Sequence, residues 1–199
     1  MEGKYGLYPN DEPIDKHTHV IFQLENHEQL RYRDVRKFRT MHLFPKGQEW
    51  NNLPLKKLGP EPFSEQFTVQ YLIEKFNKTS RTVKSALLDQ TIVAGLGNIY
   101  VDEVLFRSQV HPEKIANELS EKEVKKIHEE IKETLKEAVK KGGTTVRTYI
   151  NSQGEIGMFQ LDLYVYGRTG EYCKVCAAPL ERLVVGGRGT HICPKCQKK

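Results

Sequence analysis

The sequence predicts an α+β chain, and three observations carry that prediction. Strand-like segments rich in β-branched and aromatic residues occupy the first 45 residues, helical apolar spacing fills the middle, and two Cys-x-x-Cys pairs bracket a short stretch at the end. The 199 residues suffice for one large domain or two small ones with their own cores. No apolar run approaches the roughly 20 residues that a membrane helix needs. The opening Met1 to Tyr5 has no apolar signal region, so the expectation is a soluble, cytoplasmic protein with no membrane partner.

Residues 17–24 and 29–35 flank a polar turn at Glu25 to Glu28 and read as a hairpin, with Arg39 to Phe44 as a third strand candidate. Such a sheet would expose an edge and one face unless more chain or a partner supplies the missing layer. From Pro45 to Pro62 turn formers dominate, which reads as a linker. Helices are expected over about 64–76, 80–88 and 98–107. A fourth starts at a capping box, Ser120 with Glu123, and carries Val124, Ile127, Ile131, Leu135 and Val139 before stopping at Gly142. Residues 143–160 form a long glycine-spaced loop of the kind that is functional or mobile. Leu161 to Tyr166 reads as a strand leading into the final module.

That module is Cys173-x-x-Cys176 and Cys193-x-x-Cys196, sixteen residues apart. Each turn can present two thiolates to one ion while the intervening hairpin carries the second pair back, so the expected cofactor is one Zn2+ held by Cys173, Cys176, Cys193 and Cys196. Two disulfides suit the spacing less well, and nothing points to an oxidising compartment. From Tyr166 onward seven Lys/Arg face only Glu171 and Glu181, a surplus equal to the net charge of +5 for the whole chain. A compact basic module fits a polyanionic partner, most often nucleic acid, although a solvated lysine-rich terminus has the same composition.

Gly95-Leu-Gly-Asn98 precedes a helix that Asn98 can cap, leaving amide N–H groups and the positive dipole end free for phosphate; ordinary helix punctuation reads the same way. The surrounding residues 88–103 resemble the helix-two-turn-helix signature of the formamidopyrimidine-DNA glycosylases. Gly187 to Cys196 is similar to that family's zinc-finger ending, Thr145 to Gln160 to its preceding segment, and Asp34 to Phe38 to its gap-filling segment.

The resemblance implies a base-excision N-glycosylase with apurinic/apyrimidinic lyase activity on oxidised purines, working as a monomer on double-stranded damaged DNA. It implies the last strands of a catalytic β-sandwich at 1–50, a linker at 51–62, a helix-two-turn-helix domain at 63–160 and a zinc finger at 161–199. It also implies roles for single residues. Arg188 would hold the damaged nucleotide's phosphate and take part in the second elimination. Asn98 would hold phosphate, and Met1, Arg36 and Phe38 would fill the space of the flipped base. His17 would contact DNA. By composition, and not by the resemblance, Arg81 and Lys84 on the helix before the turn are expected to add phosphate contacts. The family's Pro-Glu-Leu-Pro-Glu nucleophile segment does not occur in these 199 residues, so the expectation is DNA binding without base excision. The endonuclease VIII relatives, which prefer oxidised pyrimidines, and a non-catalytic DNA-binding protein are the alternatives.

Overall fold

A computed structural model describes residues 3–144 and 158–199; the expectations for Met1 and for residues 145–157 lie outside the described residues. The chain divides into two compact units, one of Met1–Phe44 with Lys141–Gln160, the other of Pro45–Lys140 with Leu161–Lys199. Among the described residues no helix is long and apolar enough to cross a membrane.

The first unit holds a three-stranded antiparallel sheet in the order β1 (Lys4–Pro9), β3 (Glu28–Arg33), β2 (Thr18–Gln23). The expected hairpin is β2 and β3. The third strand is Lys4–Pro9 and not Arg39 to Phe44, because β3 has only two sides and β1 takes the one that β2 leaves free. Register sorts the side chains by alternation. Tyr5, Leu7, Leu30, Tyr32, Val20 and Phe22 share one face, and Tyr8, Gln29, Arg31 and Ile21 the other. Arg31 is buried on that second face. Its guanidinium lies 4.9 Å from the Tyr8 ring and donates to the carbonyls of Pro9, Glu12 and Pro13, so the loop after β1 is held by one cation.

The second unit is built on four helices and a hairpin. Thr68 caps α1 (Val69–Asn77) by accepting the Tyr71 N–H at 3.1 Å, and Thr82 caps α2 (Val83–Leu87) by accepting from Ser85 at 3.3 Å. A strap at Gly59 and Pro60 joins the loop after α2 through Gly59 N–H to Gln90 O and Ala94 N–H to Pro60 O. A Cβ at Gly59 would stand 2.6 Å from the Ile92 backbone, so only glycine permits this approach.

The longest helix, α4 (Glu121–Lys140), begins at the expected capping box. Ser120 N–H and Oγ reach Glu123 Oε2 at 2.9 and 2.7 Å, and Glu123 N–H returns to Ser120 Oγ. Its buried stripe is Val124, Ile127, Ile131, Thr134 and Ala138, while Val139 is exposed. The 3.6-residue period carries the core-facing stripe through 134 and 138 and turns Val139 outward. Val124, Ile127 and Ile131 of this stripe pack with Leu72, Phe76, Leu87, Val101, Val104 and Leu105 in the main core. Each such side chain contributes about 1.5–3 kcal/mol by leaving water.

The strand expected at Leu161 to Tyr166 is absent. A single 3-10 turn, Phe159–Leu161, leads into further turns. The amides that a strand would pair sideways go elsewhere. Glu103, on α3 (Asn98–Ser108), is buried, and its carboxylate accepts the N–H groups of Tyr164, Val165 and Tyr166 at 2.8–2.9 Å.

Candidate nucleic-acid interface and metal centre

The four cysteines converge as their spacing predicts. Their sulfurs all lie within 4.8 Å of one another, with Cys173 to Cys196 at 3.9 Å and Cys176 to Cys193 at 3.4 Å. Zn–S bonds of about 2.3 Å in a tetrahedron need sulfurs about 3.8 Å apart, so the donor set and its spacing fit one Zn2+. Hydrogen bonding, above all from the Ala178 amide, draws the Cys176 thiol down to about 7, whereas burial pushes those of Cys193 and Cys196 up. The second knuckle is fastened to the helices by Gln197, which is buried; its Oε1 accepts Cys193 N–H and its Nε2 donates to Val110 O, both at 3.0 Å.

Between the knuckles run β4 (Glu181–Val185) and β5 (Arg188–Ile192). Gly186 and Gly187 join them with φ of 56° and 75°, the positive values that a two-residue hairpin turn requires at both central positions. Gly186 has a second constraint: a Cβ there would meet Ser85 Oγ at 2.5 Å, so the turn rests directly on α2. Arg188 follows the turn with its guanidinium exposed and hydrogen-bonded to nothing among the described residues.

The strand behind Arg188 is tied down by groups from two helices. Lys84 on α2 is fully buried, and its Nζ lies 2.5 Å from Asp102 Oδ1, 2.8 Å from Thr190 Oγ1 and 3.1 Å from Gly189 O. The other oxygen of Asp102 accepts the His191 N–H at 2.9 Å and lies 3.1 Å from its ring nitrogen. Burial pulls the Lys84 ammonium below its ordinary range, Asp102 opposes that pull, and Arg188 adds to it. Lys84 therefore departs from the phosphate-contacting role expected of it. It has no exposed surface to offer a phosphate, and its donors are used inside the protein.

Asn98 stands at the start of α3, but Gly97 is the N-cap residue and no side chain caps it. The Asn98 amide turns to the hairpin instead, donating from Nδ2 to Gly189 O at 2.9 Å. Asn98 and Asp102 are four residues apart and share a helix face, so one face of α3 fixes both Gly189 and His191. The loop ahead of α3 is laced by Gln90, which accepts from Gly95 N–H at 2.8 Å and donates to Leu96 O at 2.9 Å. An exposed cation is thus held beside the uncapped start of an eleven-residue helix. That combination presents N–H donors and positive charge to an anion. Arg81 lies on the segment before α2 and pairs with Asp89 at 2.9 Å, at least partly neutralised.

The first unit carries the remaining candidates. Asp34 accepts the Arg36 N–H and the Tyr32 hydroxyl, each at 3.0 Å. Burial would raise its carboxyl, but these donors outweigh it and leave the pKa below the ordinary value. Lys37 takes a left-handed φ of 55°, after which Phe38 stands 80% exposed with the Arg36 guanidinium 5.7 Å from its ring. A ring left in water beside a cation is unusual for a folded loop and suits contact with stacked bases. His17 precedes β2 and is partly buried; its carbonyl accepts the Asp34 N–H, joining it to the same loop.

Sequence reasoning missed Asp102, Glu103, Gln90 and Gln197 as positioning groups. The signal for the first two was adjacent acids inside an otherwise apolar helix segment.

Comparison with known proteins matches three family profiles. These are the formamidopyrimidine-DNA glycosylase N-terminal domain over residues 1–41, its H2TH domain over 58–150, and a zinc finger found in FPG and IleRS over 170–199. A formamidopyrimidine-DNA glycosylase of Bacillus licheniformis is 66% identical over all 199 residues, which span 72% of that relative. Lactococcus lactis Fpg, solved in complex with DNA containing an abasic site, is 47% identical with a TM-score of 0.90, covering 100% of this chain and 73% of that one. A MutM structure in complex with DNA containing carbocyclic 8-oxo-G is 46% identical with a TM-score of 0.90, covering 100% and 72%.

Proposed function

The chain belongs to the formamidopyrimidine-DNA glycosylase family, and from that premise we propose that these residues hold lesion-containing duplex DNA for base-excision repair of oxidised purines. The observation that carries the reading is the Asn98 Nδ2 to Gly189 O bond at 2.9 Å, which sets the exposed Arg188 tip beside the start of α3. The guanidinium and the helix N–H groups together grip a backbone phosphate of the damaged strand without reading sequence. The second N–H of the Asn98 amide is a further donor for that phosphate.

A glycosylase must extrude its target from the stack, and the gap left behind needs filling. Phe38 wedges between base steps and Arg36 bonds the orphaned base, with His17 adding a backbone contact. Residues 63–160 and 161–199 form the DNA-holding part. One bound Zn2+ contributes folding free energy to the finger and sits at the base of the hairpin that carries Arg188. The parent activity is N-glycosylase with lyase. These 199 residues contain no Pro-Glu-Leu-Pro-Glu nucleophile segment and bind without excising.

Titration against a duplex containing 8-oxoguanine or an abasic-site analogue tests this. Arg188→Ala and removal of zinc should each weaken binding at least tenfold, and affinity should fall steeply with salt. Affinity unchanged by chelation would remove the role given to Arg188. A borohydride-trapped adduct with cleavage of the lesion strand would overturn the statement that these residues do not excise.

A further inference from the structure

The hairpin that carries Arg188 carries a second arginine. Arg182 lies on β4, where register sets it opposite His191 and two residues before Val184, the partner of Gly189. Its guanidinium is laid across that glycine: a Cβ at Gly189 would stand 3.0 Å from Arg182 Nη2 and 3.4 Å from Nε. The missing side chain lets the cation rest on β5, one residue from Arg188. Arg182 is exposed, and so is Val184, so this face of the hairpin is open to solvent.

Pairing sets this cation apart. The second unit has five arginines. Arg81, Arg107 and Arg168 each hold a carboxylate, that of Asp89, Glu137 or Glu171, at 2.6–2.9 Å. Arg182 and Arg188 hold none among the described residues. The one acid of the two strands, Glu181, is set opposite Ile192 and alternates to the other face. An exposed guanidinium seated on backbone, with no counter-ion, has its fork of donors free for a phosphate.

We propose that Arg182 is a second phosphate-contacting residue of the hairpin and holds a different backbone phosphate of the duplex from the one assigned to Arg188. Register puts Arg188 on the face of Val185 and Arg182 on the face of Val184, so the two guanidiniums leave opposite faces of the hairpin and suit two phosphates instead of one. The contact rests on the duplex-binding reading given above and adds one neutralised phosphate to it. It carries no information about the lesion, because a backbone phosphate is the same beside damaged and undamaged bases.

The test measures binding of the zinc-loaded 199-residue chain to an abasic-site duplex and to the undamaged duplex between about 50 and 200 mM salt. Each phosphate contact contributes about 0.9 to the slope of log affinity against log salt. Arg182→Gln should therefore reduce that slope by about 0.9 and weaken binding severalfold at the low-salt end, on both duplexes alike. Arg182→Lys, which keeps the charge and loses the fork, should recover the slope. Lys198→Gln removes an equal charge from the same module and should leave the slope as it was. A slope unchanged by Arg182→Gln overturns the proposal. So does an equal loss in Lys198→Gln, which would make Arg182 a source of net charge only. Urea midpoint and zinc content of Arg182→Gln should equal those of the parent chain; a lower midpoint would assign the residue to the fold and overturn the proposal too. Arg188→Ala is measured on the same duplexes. Its failure to weaken binding would count against the function proposed above and leave the Arg182 slope readable.

Discussion

Lys84 Nζ and Asp102 Oδ1 lie 2.5 Å apart with both side chains wholly excluded from solvent. Removing one partner strands the other charge in the interior. Lys84→Met should therefore lower the unfolding free energy of the zinc-loaded protein by about 3–5 kcal/mol, measured by urea denaturation. Adding Asp102→Leu should recover only part of this. His191 N–H would then lose its acceptor, at a cost of about 1–3 kcal/mol. A single-variant loss under about 1 kcal/mol would show that the pair is not the tie between hairpin and helices described here.

Phe38 offers the opposite test, because its ring contributes almost nothing to a core. Phe38→Ala should leave stability within about 0.5 kcal/mol of the parent chain. Binding to duplex with an abasic site should weaken several-fold while binding to undamaged duplex stays constant. Equal weakening on both duplexes would show that the ring is not a gap filler.

Glu103 should respond locally. Glutamine in its place has one acceptor oxygen instead of two and turns an N–H₂ toward an N–H donor. In Glu103→Gln, hydrogen exchange at Tyr164 to Tyr166 should quicken while the amides of β4 and β5 keep their protection. Unaltered exchange at those three residues would mean that the segment is held by other contacts.

Stability should have two pH limbs of opposite sign. Burial would raise Glu123, but Lys114 and Ser120 outweigh it and hold it below its ordinary value of 4.5; Asp89 is held low by Thr91 and Arg81 against the same burial effect. Their contribution is present above the ordinary carboxylate range and is lost as pH falls through the lowered folded values. Glu103 is raised above 4.5 by burial, against three backbone donors. Its contribution is complete below 4.5 and is lost as pH rises through the folded value. Urea midpoints against pH should show Glu123→Gln flattening the acid limb and Glu103→Gln flattening the opposing slope.

Much of this arrangement was legible because the sequence states it locally. The cysteine spacing, the Ser120 and Glu123 box and the β2–β3 hairpin each depend on residues within about twenty positions of one another. What was not legible depends on distance along the chain. Lys84 read as a surface cation because two of its three acceptors, Gly189 and Thr190, lie more than a hundred residues away on the hairpin that covers it. Leu161 to Tyr166 read as a strand by composition, yet one carboxylate some sixty residues earlier takes its amides. Asn98 had the chemistry of a cap, but a carbonyl from the distant hairpin claimed its side chain.

The contact of Gly186 with Ser85 has one more consequence. The hairpin is held at its far end by the cysteine knuckles and at its near end by a backbone turn seated on α2. A ribbon pinned at both ends has little freedom to move as a body, so under the proposed function Arg188 would reach a phosphate mainly through its side-chain torsions. Little backbone entropy is then left to lose when DNA arrives. Enlarging Gly186 should appear less as lost stability than as a slower, looser capture by an arginine whose anchor has begun to swing.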